Sequence, residues 1–176
     1  MVECLLCQIS DGKVPSKKVY EDDKIIVVLD FMGALPGHCF VLPKKHYTII
    51  EQVPDEEIAL IFEIANKVSS ALFETMDVQG TNVYITNGVS AGQQVPHFFC
   101  HVIPRLENDG INLQWSTKQL SEEEMSTIEL KLKEQIGDVV SYSAAPKVES
   151  KQKKPKVFSS EEGEENYMLK QLKRIP

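Results

Sequence analysis

Four histidines, at positions 38, 46, 97 and 101, and the pair Cys4 and Cys7 are the residues of this chain best suited to chemistry near neutral pH. Imidazole exchanges protons there, and imidazole with thiolate is the donor set zinc prefers. Cys4-Leu5-Leu6-Cys7 presents two thiols from one tight turn, the local half of a tetrahedral site whose other half must come from distant residues. The spacing alone is met equally well by two reduced cysteines on an N-terminal segment. A redox pair is disfavoured, because no strand pattern precedes the motif and no helix pattern follows it.

His97 and His101 lie in the run Gln93-Gln94-Val95-Pro96-His97-Phe98-Phe99-Cys100-His101-Val102-Ile103-Pro104. This reads as a turn entering a strand that ends at Pro104, since proline cannot continue a ladder. With a side-chain period of two, His97, Phe99 and His101 share one face, while Phe98, Cys100 and Val102 share the other.

The surrounding elements follow from pattern. Lys18–Glu21 and Lys24–Asp30 read as strands joined at Asp22-Asp23, a hairpin. His38–Leu42 reads as the next strand, stopped by Pro43. Pro54-Asp55-Glu56-Glu57 opens one long helix ending near Thr75, with acids in its first turn and a stripe of Ile58, Ile61, Phe62, Ala65, Val68, Leu72 and Phe73. Thr81–Thr86 alternates as a strand and Asn87-Gly88 closes it. Ser121 with Glu124 forms a capping box for a second helix over 122–135, with Met125, Ile128, Leu132 and Ile136 on one stripe before Gly137. The expected fold is therefore α+β: an antiparallel sheet with one long helix, then a C-terminal helix and a flexible tail.

Length and charge set bounds. The chain has 176 residues, a net charge of −7 and a pI of about 5.2. Residues 146–176 carry seven Lys and one Arg against five Glu, which leaves the remainder strongly acidic and disfavours nucleic acid as a partner. No apolar run is long enough to span a membrane and no basic-then-apolar leader is present, so a cytoplasmic address is expected. Residues 138–176 have little to bury and read as a charged, flexible tail. Within it, Glu161–Glu165 precede Tyr167–Arg174, acidic then basic, the pattern of a short helix that could dock on a protein partner through Tyr167, Met168, Leu169 and Leu172.

Over residues 3–115 these motifs resemble the histidine triad (HIT) superfamily. Cys-x-x-Cys, the Tyr20-Glu21-Asp22 strand entry, Pro36-Gly37-His38, Pro43-Lys44-Lys45-His46 and the Asn87-Gly88/Gly92-Gln93 loop fall in the family's order. The resemblance implies a HIT-like domain over 1–115, which the helix region of 116–137 read above then follows, and a homodimer whose sheets join. It implies a purine-nucleotide site for an AMP- or GMP-like ligand, of the nucleoside phosphoramidate or dinucleoside polyphosphate hydrolase type. Asp30 would hold the ribose, Val28, Leu29 and Phe31 the base, and Asn87, Gly92, Gln93 and Gln94 the sugar and phosphate. His97 and His101 would be outer members of the triad and His38 would orient it. His46 and His97 would complete a structural zinc site with Cys4 and Cys7. In the family the middle histidine attacks the α-phosphorus and forms a nucleotidyl-histidine that water resolves. Here Phe99 stands at that position, and a phenyl ring has no lone pair, so hydrolysis is expected to be lost or greatly weakened. Cys100 would serve as a substitute nucleophile only if a bulge turned it to the same face. The alternative is a non-catalytic, zinc-stabilised interaction module that recruits a partner through its tail.

Overall fold

A computed structural model describes residues 4–140; the first three residues of the expected charged tail (138–140) are helical backbone instead, and the rest of that tail with its expected terminal helix lies outside the described residues. The chain falls into two units, Met1–Trp115 and Ser116–Pro176. In the first, the elements run α1 (Leu5–Ser10), β1 (Lys18–Glu21), β2 (Ile25–Leu29), β3 (Cys39–Pro43), α2 (Asp55–Thr75), β4 (Gly80–Tyr84) and β5 (Cys100–Arg105). The strands form one antiparallel sheet in the order β1-β2-β3-β5-β4, and the domain is α+β. Asp22 makes the β1–β2 turn: its Oδ1 accepts the Lys24 and Ile25 N–H groups at 2.8 and 2.7 Å. An Asx side chain closing its own turn is the reason Asp-Asp marks a hairpin here.

Alternation along the strands separates two apolar layers. Ile25, Val27, Val41, Phe98, Cys100 and Val102 face α2, which buries Ile61, Ile64, Ala65, Val68 and Leu72 against them. Phe62 and Phe73, expected in that stripe, are instead exposed. At 100° per residue they lie about 100–125° from the centre of the buried stripe, whereas Ile64 lies within about 60° of it. The opposite face carries Ile26, Val28, Leu42 and Phe99 under Leu6 of α1. That short helix was not legible from the sequence, where no helix pattern follows the cysteines. Six residues do not sustain a helix alone, and burial of Leu6, worth about 2 kcal/mol, holds it to the sheet.

Strand β5 differs from expectation at both ends. It begins at Cys100 rather than His97, because the His97 N–H turns back to the Val95 carbonyl (2.8 Å) and the Phe98 N–H goes to the Tyr47 carbonyl (2.6 Å), both outside the ladder. It also runs through Pro104. Pairing with β3 stops at Val102, so Pro104 lies where β5 pairs with β4 alone, a position that tolerates proline as an edge does. The strands β2, β3 and β4 otherwise match their expected places to within one or two residues.

In the second unit, α3 spans Glu122–Val140. The capping box forms as expected: the Glu124 N–H donates to Ser121 Oγ at 3.3 Å, and the Ser121 N–H to Glu124 Oε2 at 2.8 Å. The helix does not stop at Gln135 but passes through Gly137, because its hydrogen-bond ladder outweighs the glycine's cost of about 1 kcal/mol.

Gly37, immediately before His38, has φ of +93°, and a Cβ there would meet Met76 Sδ at 2.8 Å and Leu72 Cδ2 at 3.0 Å. A Gly37→Ala substitution is therefore expected to destabilise the domain by about 1–3 kcal/mol. Urea unfolding with a lowered midpoint and unchanged slope checks this; an unchanged midpoint refutes it.

Candidate active site and metal centre

The partner pairs Cys39 with Val102, Phe40 with His101 and Val41 with Cys100 bring the start of β3 against the middle of β5. His38 Nε2 thereby lies 3.1 Å from His101 Nδ1. The proton positions follow from one fixed donor. The Ala34 backbone N–H points at His38 Nδ1 (3.1 Å), so that nitrogen carries the lone pair and His38 Nε2 carries the proton. His101 Nδ1 accepts it, and His101 Nε2 is left as an outward N–H donor. Asp30 stands beside the relay, with Oδ2 3.5 Å from His38 Nδ1 and Oδ1 accepting the Met32 N–H at 3.0 Å. Burial pushes the His38 pKa down against the pull of Asp30. Burial, and then neighbouring His38, take His101 down to about 4. Both rings are neutral at pH 7.

Three aromatic rings enclose His101. Tyr84, its direct partner across β4 and β5, stacks on it at 4.6 Å and 7°; Phe99 lies at 4.7 Å and Phe40 at 5.2 Å. Phe99 is buried in the apolar layer beneath α1. The site can donate a hydrogen bond to an anion through His101. No lone pair is available at Phe99 to attack one. Cys100, the substitute weighed above, faces α2, is fully buried, and has its thiol pushed up to about 12 by burial, so it is no nucleophile.

His97 does not join the relay. It is fully buried, its Nε2 donates to the Pro43 carbonyl at 3.0 Å, and its Nδ1 faces Cys4 Sγ at 3.4 Å and Cys7 Sγ at 3.5 Å. His46 Nδ1 lies 3.2 Å from Cys7 Sγ, and the four donor atoms fall within 4.8 Å of one another. These separations fit a metal. Ligands at about 2.3 Å for sulfur and 2.1 Å for nitrogen around a tetrahedral ion stand about 3.6 Å apart, and a ligand histidine whose second nitrogen is tied to a carbonyl is already oriented. Burial and the adjacent Cys4 thiol push Cys7 up to about 11, so a cation entering the cluster must displace a proton there.

The other residues expected at the nucleotide site divide. Asp30, Val28 and Phe31 lie at the end of β2, with Phe31 95% exposed and Val28 buried on the relay's face. Leu29 points to the other face, where it lines a cleft of about 400 Å³ beside α2 with Val19 and Leu72. Asn87 accepts the Ile50 N–H and donates to Glu51, while the Gln93 amide accepts the Gly88 N–H and donates to the Thr48 and Val95 carbonyls. Both side chains brace the loop. Gly92 takes φ of +89° there and Gln94 is exposed. Tyr84, Phe40 and Ala34 were missed. Phe40 follows His38 by two residues, so strand alternation could have placed it on the same face; Tyr84 meets His101 only through strand register, and Ala34 contributes a backbone N–H that no side-chain pattern announces.

The sheet, the paired histidines and the Cys/His cluster define a HIT-type domain, and the model for the HIT domain matches residues 11–108. The chain belongs to the HIT family. It is 38% identical over 107 residues to an uncharacterised HIT-like protein of Methanocaldococcus jannaschii, covering 61% of this chain and 82% of that one. It is 32% identical over 118 residues to an adenylylsulfatase of Arabidopsis thaliana, covering 67% and 58%. It is 29% identical over 141 residues to the adenosine 5'-monophosphoramidase of Candida albicans, covering 77% and 93%. Among solved structures, a HIT family protein of Bacillus anthracis superposes with a TM-score of 0.72 at 31% identity, covering 76% and 97% of the two chains. A zinc-bound histidine triad family protein of Mycobacterium smegmatis gives 0.60 at 27%, covering 78% and 97%. Among the described residues no helix is long and apolar enough to cross a membrane.

The depressed His101 pKa carries a sign. Between 6.5, the value of a free imidazole, and about 4, the unfolded chain binds a proton that the folded one does not. His101 therefore stabilises the fold fully above pH 6.5, and that contribution falls as pH drops toward 4. Proton NMR titration of the His101 ring should give a midpoint near 4; a midpoint near 6.5 would show that the buried relay does not form.

Proposed function

We propose that this chain binds a purine nucleotide of the AMP or GMP type and has lost, or nearly lost, its family's hydrolysis of nucleoside phosphoramidates and dinucleoside polyphosphates. The observation that carries this reading is the pairing of a neutral His38–His101 relay, able to donate one hydrogen bond to a phosphate, with a buried phenyl ring at residue 99. Such a site retains an anion contact without a nucleophile. The names of the Arabidopsis and Candida relatives, an adenylylsulfatase and an adenosine 5'-monophosphoramidase, support a nucleotide as ligand. Asp30 and Phe31 would take the ribose and base, Gly92, Gln94 and the Asn87 loop the phosphate. We further infer that zinc fills the Cys4, Cys7, His46 and His97 cluster in a structural role, that two protomers associate, and that the protein works in the cytoplasm. A zinc-stabilised interaction module is the second reading, favoured by the aromatic enclosure of His101, which narrows the space a phosphate would need.

Phe99→His should restore turnover of an adenosine phosphoramidate, with a gain on the order of 10³-fold or more, while calorimetry detects AMP binding to both proteins. Binding by neither protein, with no turnover, would select the interaction module. Elemental analysis should find one zinc per chain in the parent and none in Cys7→Ser, with a lowered melting temperature; a variant holding a full equivalent would overturn the zinc assignment.

A further inference from the structure

In the sequence, the lack of a helix pattern after Cys7 disfavours a redox pair. The fold removes that ground. Helix α1 begins at Leu5, so Cys4 stands at its cap and Cys7 in its first turn, and the Gln8 N–H closes that turn on the Cys4 carbonyl at 3.1 Å. A Cys-x-x-Cys set at a helix start is an arrangement in which two thiols close reversibly into a disulfide. The two Sγ atoms approach the same nitrogen, His97 Nδ1, at 3.4 and 3.5 Å and lie within 4.8 Å of each other. Rotation of the side chains can bring them to bonding distance.

Access separates this pair from the other thiols. Cys4 and Cys7 are half-buried and His46, beside Cys7, is exposed, which leaves a small polar oxidant a way in. Cys39 and Cys100 are buried in the layer under α2, on the opposite side of the sheet. The same two sulfurs also help to hold α1 in place. Leu6 is the one buried side chain of that helix, and beyond it the contacts of Cys4 and Cys7 with His97 and His46 tie the helix over the layer that contains Phe99.

We propose that Cys4 and Cys7 are an oxidation switch: a peroxide joins them in a disulfide, the cluster loses its hold on a cation, and α1 loosens from the Phe99 layer. This rests on the zinc reading above. One sulfur attacks the peroxide and takes one oxygen as a sulfenic acid while hydroxide leaves; the other attacks that sulfur, the S–S bond forms, and a second hydroxide leaves. The two thiolates give up two electrons in all, and the peroxide oxygens gain them. Disulfide sulfurs carry no charge, so two of the four donors are lost and His46 and His97 remain. Thiols reverse the bridge by exchange, as a transient switch in a reducing compartment requires.

The full-length chain, loaded with zinc and checked by elemental analysis, is exposed to hydrogen peroxide at neutral pH. A chelating dye reads the metal released, mass spectrometry reads the cysteines, and amide hydrogen exchange reads α1. The expected result is release of about one zinc per chain and a mass about 2 Da below that of the reduced, metal-free chain, with the bridge mapped to Cys4 and Cys7. Exchange over α1 should quicken on the order of tenfold while that of α2 stays unchanged. Dithiothreitol with fresh zinc should restore all three readings. A sulfinic acid at either cysteine in place of the bridge, or unchanged exchange over α1 once the bridge has formed, would overturn the proposal. Loaded protein that keeps its zinc under peroxide overturns the proposal alone, whereas untreated protein that takes up no zinc overturns the zinc reading and the proposal together.

Discussion

The antiparallel register between β3 and β5 is the constraint on which the rest of this domain depends. Three partner pairs place His38 at the foot of β3 within hydrogen-bonding distance of His101, and place Val41 and Cys100 on the α2 side. The side-chain period of a strand is two, so a slip of one residue would carry His101 under the helix and Cys100 into the relay. Such a slip would bury an imidazole among Ile61, Val68 and Leu72 without a partner, at a cost of several kcal/mol. Packing energetics and site geometry are thus secured by the same choice. The apolar face of β5 can meet α2 in one register only, and that register assembles the histidines.

Burial then determines the chemistry. A solvated imidazole pair would exchange protons near neutrality, but here desolvation holds both rings neutral, and His38 adds to that effect at His101. The Ala34 N–H chooses the tautomer, because a backbone donor cannot change its role. One fixed donor passes its polarity along the relay and leaves His101 with an N–H facing outward. The aromatic contacts with Tyr84, Phe40 and Phe99 hold the plane of the ring. A site of this kind is suited to hold an anion at constant strength across the physiological pH range rather than to shuttle protons.

The N-terminal segment is held by different means. Helix α1 has six residues and one buried side chain, too little to fold alone. Its docking brings Cys4 and Cys7 to His97, already oriented by the Pro43 carbonyl, and to His46 at the end of the next loop. Closing so long a loop costs chain entropy that the contacts of Leu6 meet only in part, and coordination would supply the remainder. The same helix roofs the layer containing Phe99, which links the metal centre to the candidate active site through packing.

Local order along the chain was legible in the sequence wherever one short-range effect dominates. The Asp22 turn, the start of α2, the Ser121 capping box and the alternation of Phe98, Cys100 and Val102 against Phe99 and His101 all depend on neighbours within a few residues. The Cys/His cluster joins distant residues and was expected only through the resemblance, whose motifs fall in order along the chain. What the tertiary structure alone decided involves partners far apart in sequence. The His97 N–H leaves the ladder for Val95, so the strand starts three residues late. Tyr84 reaches His101 through strand pairing, Ala34 selects the tautomer through a loop, and Leu29 turns toward the α2 cleft while Val28 faces the relay. The physical reason is that propensity and pattern are properties of a segment, whereas register, burial and proton position are properties of two segments in contact. No single stretch of this sequence contains both.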